Sequence, residues 1–544
     1  VVVRRLVPGR GSAAARRERR SWAAEVVSRL DVQQVRGAVV DDVARYAREV
    51  DAASDEALPI VLAAAAEALD RPDVRTPAEP LRSYVDVSVQ VFFLRELAER
   101  AASRLGRSSV AVLDSVLDAR PGHRAAILAL GEVALAARDV PGAIAFGKRA
   151  LRIQAVCQTA ERLLHRCTPL ADAMGLVDPD LEPFRVDLDG RFCDQPFRTL
   201  STGWAGATYA CACPSWVPFS LGDIHEATGP DELWNSEVAQ ELRRSILDGD
   251  FRYCSRTQCS LIATDVLPSR DRVADPFLRQ VIDEHLTILE RAPSLVELNH
   301  DATCNLACPS CRTEVIAADR GQQRRDDEAT DRVLLPLLAE VEGKVYISGG
   351  GEAIASPHLR RLLERLDRQS HPGLGVLLMT NAQLLTPRRW ATLPNLPSVL
   401  TSVNVSIDAA TAATYERLRP PGRWSVLLEN LEHLAELRRT GEVPSLCFNF
   451  VVQQANFREL PAFIEMGDSF GADLYWLQKV TNYGTYDEST FVEVDVTARS
   501  HPEHEALLEV LRRPELVGNS KVDMRLLLHL LPEAPQAGHP LPWF

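Results

Sequence analysis

The sequence predicts a multidomain α/β protein: an all-α segment, a small cysteine-rich segment, and then a run of six β/α units. Three observations lead there. Residues 1–178 carry apolar residues at 3.6 spacing and many alanines, the pattern of packed amphipathic helices. Residues 179–280 break that pattern with cysteines, aromatics and turn residues, as in "FCDQPF", "GATYACACPSW" and "DGDFRYCSRTQC". Across residues 285–490, short apolar β-branched runs alternate with amphipathic stretches, which argues for a parallel sheet with helices outside it.

Composition bounds what such a chain does. It has 544 residues, 46% hydrophobic and 25% charged, with 61 basic against 75 acidic residues and a net charge of -14. That balance argues against a nucleic-acid backbone as partner. No run of eighteen apolar residues marks a membrane span. The Arg- and Ala-rich start, "VVVRRLVPGRGSAAARRERRSW", lacks an apolar h-region and reads as a lead-in, not a signal peptide. Eleven cysteines in a large chain without a secretion signal suit metal or redox chemistry in a reducing cytoplasm better than a disulfide framework.

Within the helical segment, "PGHRAAILALGEVALAARDVPGAIAFGKRALRI" resembles one tetratricopeptide unit. Leu130, Gly131, Ala143 and Ala150 occupy the small and apolar positions where two antiparallel helices meet. A surface for docking a peptide or protein and a helical cap are both open readings of this segment. The six apolar runs downstream are "SLVELNH", "KVYISGG", "GVLLMTN", "VLTSVNVSID", "LCFNFVVQ" and "DLYWLQKV". Helical patterns such as "SPHLRRLLERLDRQ" and "WSVLLENLEHLAELRRT" separate them. No Gly-x-Gly-x-x-Gly follows the first run, so a partial (β/α)6 TIM-like barrel suits better than a dinucleotide-binding sheet. Residues 491–544 read as a helix and a Pro-rich tail.

The first run leads into "ATCNLACPSCRT", where Cys304, Cys308 and Cys311 follow C-x₃-C-x₂-C spacing with no fourth cysteine nearby. Three thiolates can hold three irons of a [4Fe–4S] cluster and leave the fourth open to a small molecule. A zinc site closed by a distant His is the alternative. The loop lies at the C-terminal end of a strand, where barrel enzymes keep their chemistry.

"CNLACPSC" after a first strand resembles the signature of the radical S-adenosylmethionine (SAM) enzymes. "YISGGGEAIASPHL" resembles their glycine–glycine–glutamate motif, which implies that Gly350, Gly351 and Glu352 meet the methionyl amino group of SAM. Glycines suit that task because a backbone without Cβ approaches a ligand closely. "VNVSIDAATAATYERLRPPGRW" resembles the family's ribose-contacting strand and the Arg-containing segment after it. Ser406 and Asp408 share one face at period two. Ser406 is the stronger ribose candidate, and Arg419 is a candidate for the SAM carboxylate or ribose. "FVVQQANFREL" resembles the next strand region, with Asn456 as candidate. The resemblance covers about residues 290 to 485. It departs at Ser310, where many members carry an aromatic residue, and this leaves the adenine contact unassigned.

Upstream, Cys193, Cys211, Cys213, Cys254 and Cys259 with Gly206 resemble a SPASM domain, which implies an auxiliary [4Fe–4S] cluster. That domain more often follows the barrel than precedes it. Four thiolates close one cluster, so one of the five is surplus. Cys193, Cys211, Cys254 and Cys259 are the favoured set, with Cys213 as the alternative to Cys211 and zinc as the alternative occupant. Cys157, Cys167 and Cys447 fall in apolar patterns and read as small buried hydrophobes.

The resemblance implies an iron–sulfur enzyme that cleaves SAM reductively and abstracts hydrogen from a C–H bond. The substrate is then a peptide or small natural product, and electrons come from a donor such as flavodoxin or ferredoxin. A sugar or nucleoside intermediate is the alternative substrate. From another class, a non-catalytic iron–sulfur redox sensor remains, against which the Gly350–Gly351–Glu352 motif speaks.

Overall fold

Ten strands form one sheet among the described residues, and the six apolar runs are six of them. They are β1 (Thr199–Thr202), β2 (Ala207–Tyr209), β3 (Gly222–Asp223), β4 (Leu295–Leu298), β5 (Gly343–Ile347), β6 (Leu374–Thr380), β7 (Leu400–Ser406), β8 (Leu446–Val452), β9 (Leu474–Lys479) and β10 (Val522–Asp523). The order is β10-β9-β8-β7-β6-β5-β4-β1-β2-β3. The computed structural model describes residues 13–28, 37–69, 88–153, 157–211, 220–263, 265–524, 527 and 530–531. Cys213 and the Pro-rich tail from residue 532 lie outside them.

From β10 through β1 every neighbouring pair is parallel, while β1–β2 and β2–β3 are antiparallel. The predicted six parallel strands are β4 to β9. Four further strands join them, three from the cysteine-rich segment. These are only two to four residues long, too short for a period-two pattern to rise above the surrounding turns. The result is a mixed sheet with β10 and β3 at its edges.

Helices between the strands start where local chemistry dictates. The helix Pro357–Arg365 opens on Ser356, whose Oγ accepts from the Leu359 N–H at 2.9 Å, with Pro357 at the first helical position. The helix Trp424–Thr440 buries Leu427, Leu431 and Leu434 at three- and four-residue spacing. β6 and β8 are buried along nearly their whole length, as central strands covered on both faces require.

The chain divides into two compact units. The first takes residues 1–193 and 240–285; the second takes 194–212, 220–239 and 286–544 and contains the whole sheet. The first unit is helical, and its core of Ala, Leu and Val runs from Ala23 to Phe184. The stretch read as one repeat unit forms the helices Arg124–Ala136 and Val140–Ile153, with Leu130, Gly131, Ala143 and Ala150 buried. Cys157, Cys167 and Cys447 are also buried. No helix among the described residues is long and apolar enough to cross a membrane.

Candidate functional site

The cysteine loop leaves β4 and is closed by its own backbone. Cys304 and Ile316 exchange N–H···O bonds at 2.9 and 3.2 Å, and the Cys308 carbonyl accepts from both Cys311 N (2.8 Å) and Arg312 N (2.9 Å). The sulfurs collect donors. Cys304 Sγ accepts from Leu306 N at 3.4 Å and lies 3.9 Å from Asn381 Nδ2, while Arg312 Nη2 donates to Cys311 Sγ at 3.4 Å. Donors of this kind stabilise thiolates that carry charge. As thiols, burial pushes Cys308 up to about 11, with Arg419 opposing it, and raises Cys304 against the pull of Leu306 N–H and Arg312. Among the described residues no group of three His, Cys, Asp or Glu could hold a single metal ion. A [4Fe–4S] cluster differs from an ion in taking one thiolate at each of several irons.

The Gly350–Glu352 turn after β5 is fastened to that loop. A Cβ on Gly351 would come within 2.5 Å of the Asp301 carbonyl and 2.6 Å of the Thr303 carbonyl. Glycine is therefore required there by the cysteine loop's own backbone. Glu352 N donates to Thr303 O at 2.8 Å, and Arg312 bridges Gly350 O (2.8 Å) and Ala302 O (2.6 Å). The Glu352 side chain is only 1% exposed. Its Oε1 accepts from Ile354 N (3.1 Å) and Thr380 Oγ1 (2.8 Å), and its Oε2 from Asn381 N (2.6 Å). Burial raises its pKa while those three donors lower it. A carboxylate has about four lone-pair sites, so these three donors leave one on Oε2 unused.

Three consecutive parallel strands end in a non-glycine residue with positive φ: Ser348 (79°) after β5, Ala382 (58°) after β6 and Asp408 (61°) after β7. Such conformations cost energy and gather where a fold presents groups for function. Asp408 accepts from Val451 N at 2.7 Å and from Arg419 at 2.6 Å. Burial opposes the Arg419 charge, but Asp408, Cys308 and Tyr415 outweigh it and raise its pKa. Asn456 is spent within the fold: its Nδ2 donates to Asp408 O and Val451 O, both at 2.9 Å, and its Oδ1 accepts from Gln453 N at 2.9 Å. Ser406 Oγ is half-buried and donates to Met379 Sδ at 3.3 Å.

One face of the sheet carries polar side chains in register. Asn404 pairs with Met379 on β6 and Cys447 on β8, and Ser406 pairs with Asn449, which pairs with Trp476. Asn404 is fully buried, and its Nδ2 finds no acceptor among the described residues.

The sequence reading missed Asn381 and Arg312. Asn381 links Glu352, the Cys304 sulfur and Asn305 Oδ1 (3.0 Å), and Arg312 ties the third cysteine to Gly350. A polar residue directly after β6, at the functional end of a parallel sheet, was the available signal for Asn381.

Of the second cysteine group, Cys193, Cys254 and Cys259 belong to the first unit and Cys211 to the second. Cys193 is buried and the others are partly exposed. Gly206 sits at φ 97° between β1 and β2, where a Cβ would meet His225 Nδ1 at 2.3 Å and Asp223 Oδ1 at 2.6 Å. In the second unit His225 lies between Asp326 and Asp223, each at 2.8 Å. Nearby, His300 Nε2 meets His358 Nε2 at 3.0 Å, and burial, with His358 next, lowers the His300 pKa to about 3.

The family model described as the radical SAM superfamily matches residues 298–465, and the SPASM model, an iron–sulfur cluster-binding domain, matches residues 193–260. The AdoMet-dependent heme synthase of Methanosarcina barkeri is 29% identical over 37% of this chain and 54% of its own. The mycofactocin maturase MftC of Mycobacterium tuberculosis is 27% identical over 37% of this chain and 46% of its own. The chain thus spans about half the length of the curated relatives it matches. The crystal structure of Streptococcus suis SuiB bound to S-adenosylmethionine aligns over 55% of this chain and 66% of that one. Its identity is 15% and its TM-score 0.31, too loose a likeness to bear on mechanism.

Proposed function

We propose that the chain is a radical SAM enzyme with a SPASM iron–sulfur domain and that it modifies a peptide or small natural product by hydrogen abstraction. Such a domain takes SAM and a [4Fe–4S] cluster, and a SPASM domain takes auxiliary clusters. One observation carries the reading. The three-cysteine loop and the Gly350–Glu352 turn, some forty residues apart in sequence, are a single bonded structure at the strand ends.

Cys304, Cys308 and Cys311 would hold the SAM-binding cluster, with Arg312 and Leu306 N–H stabilising the sulfur charge. Gly350, Gly351 and the open lone pair of Glu352 would take the methionyl amino group. Ser406 is a candidate for the ribose, and Arg419, charged and paired with Asp408, supplies positive potential beside Cys308. When bound, the reduced cluster would give one electron to SAM, whose cleavage would supply methionine and a 5′-deoxyadenosyl radical that becomes 5′-deoxyadenosine on taking a hydrogen atom. On this reading residues 285–490 form the SAM-binding domain and residues 179–280 the auxiliary one, with Cys193, Cys211, Cys254 and Cys259 as ligands. A small reducing protein of the flavodoxin or ferredoxin kind would deliver the electron.

The maturase name of the mycofactocin relatives supports a maturation substrate. The polar sheet face around Asn404, Ser406 and Asn449 favours a second reading, a sugar or nucleoside. The test is anaerobic: reduced with dithionite, the loaded protein should release 5′-deoxyadenosine from SAM, faster with its substrate. A fully loaded protein that releases none with any peptide or sugar offered would leave the non-catalytic redox sensor.

A further inference from the structure

We propose that Glu161 is a positioning residue for the auxiliary iron–sulfur site: its buried carboxylate fixes the loop between Cys254 and Cys259 and so sets the direction of two thiolates. The inference rests on the auxiliary-cluster reading above.

Glu161 lies on the helix Gln158–Ala173, outside the segment matched by the SPASM model. It is 2% exposed, and three successive residues of the loop bond to it. Oε1 accepts from Ser255 Oγ at 2.7 Å and Thr257 Oγ1 at 3.2 Å, and Oε2 accepts from Arg256 N at 2.6 Å. Neighbours on the same helical face extend the grip. Gln158 Nε2 donates to Tyr253 O at 3.2 Å, and Arg162 Nη1 donates to Arg252 O at 3.3 Å.

The loop's internal bonds explain why one carboxylate governs both cysteines. Ser255 Oγ also accepts from Gln258 N at 3.1 Å, and Ser255 O accepts from Cys259 N at 3.1 Å. Residues 255–259 are therefore one closed turn hung from Glu161, with Cys254 directly before it and Cys259 at its end. Groups that orient ligating residues from behind set both the occupancy and the electronic properties of a site. A loop so short, with three of its donors turned inward to one carboxylate, has few other ways to hold two thiolates still.

The test uses the full chain with Cys304, Cys308 and Cys311 changed to alanine, reconstituted anaerobically, so that only the auxiliary site binds iron. That background should hold about four iron per chain. Adding Glu161→Gln, which keeps the size but turns an N–H₂ toward the Arg256 N–H or the hydroxyls, should cut the iron at least twofold. It should also shift the electron paramagnetic resonance g-values and midpoint potential of what remains, and Glu161→Asp should fall between. In a second background, Cys254→Ala with Cys259→Ala, the same Glu161→Gln change should leave iron and spectrum at the other site as they were. An unaltered auxiliary spectrum, potential and iron content would overturn the role of Glu161 while the cluster reading stands. Equal loss at both sites would also overturn it, because the effect would then be on folding. No iron in the first background would remove the auxiliary cluster itself and the inference with it.

Discussion

Arg419 and Asp408 form a buried ion pair, with Nη2 2.6 Å from Oδ2 and side-chain exposures of 10% and 5%. Each is first the other's partner, and Asp408 also holds β8 through Val451 N. Removing one partner of such a pair strands the other charge. Arg419→Met should therefore cost about 3–5 kcal/mol in urea unfolding. Adding Asp408→Asn should recover most of that loss. A single variant as stable as the parent would mean that the pair does not hold the end of β7.

Glu352 should behave as a hub. Glu352→Ala leaves three buried donors, at Ile354, Thr380 and Asn381, without their acceptor, at about 1–3 kcal/mol each before relaxation. Glu352→Gln keeps much of that network but loses the charge facing a cationic amine. The expected result is near-parental unfolding with SAM affinity at least about tenfold weaker, worth about 1.4 kcal/mol. Equilibrium dialysis of the reconstituted protein decides it, and unchanged affinity in the Gln variant would remove Glu352 from the SAM contacts.

Iron content separates the two cysteine groups. The reconstituted chain should hold about eight iron and eight sulfide, as two [4Fe–4S] clusters. Changing Cys304, Cys308 and Cys311 together to alanine should remove half. Stoichiometric zinc at the upstream group of protein purified anaerobically would defeat the auxiliary-cluster claim.

Cys211 and Cys213 lie two positions apart, so in an extended segment their thiols share one face and compete for one ligand position. The spacing from Gly206 selects Cys211. Cys211→Ala should lose about half the iron and turnover on substrate but keep some abortive SAM cleavage, whereas Cys213→Ala should keep both clusters. The reverse pattern would transfer the ligand to Cys213.

The His225 pKa is raised, first by its hydrogen bond to Asp326 and, against burial, by Asp223. A raised folded pKa stabilises fully below the unfolded value of about 6.5, and the contribution is lost as pH rises through the folded value. The Asp326 pKa is lowered by His225 against its own burial, so its contribution disappears in acid instead. Melting temperature should fall as pH rises above about 6.5, and His225→Gln should flatten that slope. An identical slope in the variant would assign the effect to another group.

Much of the sheet was legible because its central strands β6 and β8 are seven residues long and buried on both faces, so each appears as a run of apolar residues. The cysteine loop was legible for another reason: its three ligand candidates are local in sequence, and C-x₃-C-x₂-C spacing needs no distant partner to be noticed. Gly351 shows the limit. The sequence marks it as glycine, with ligand approach as the expected cause, but the atoms within reach of a Cβ are the carbonyls of Asp301 and Thr303.

Residue order alone determined the six parallel strands and the three-cysteine loop, because each is written in local periodicity or spacing, whereas the cofactor class came from the resemblance those motifs carry. Tertiary structure decided which polar side chains are committed to one another. Asp408 and Arg419 became a pair, Asn456 a brace, and Asn381 the link from Glu352 to Cys304. It also put β1 beside β4, nearly a hundred residues away, and gave the Cys254–Cys259 loop its anchor at Glu161. A buried carboxylate takes whichever donors the fold brings within about 3 Å, and no spacing in one dimension encodes that distance.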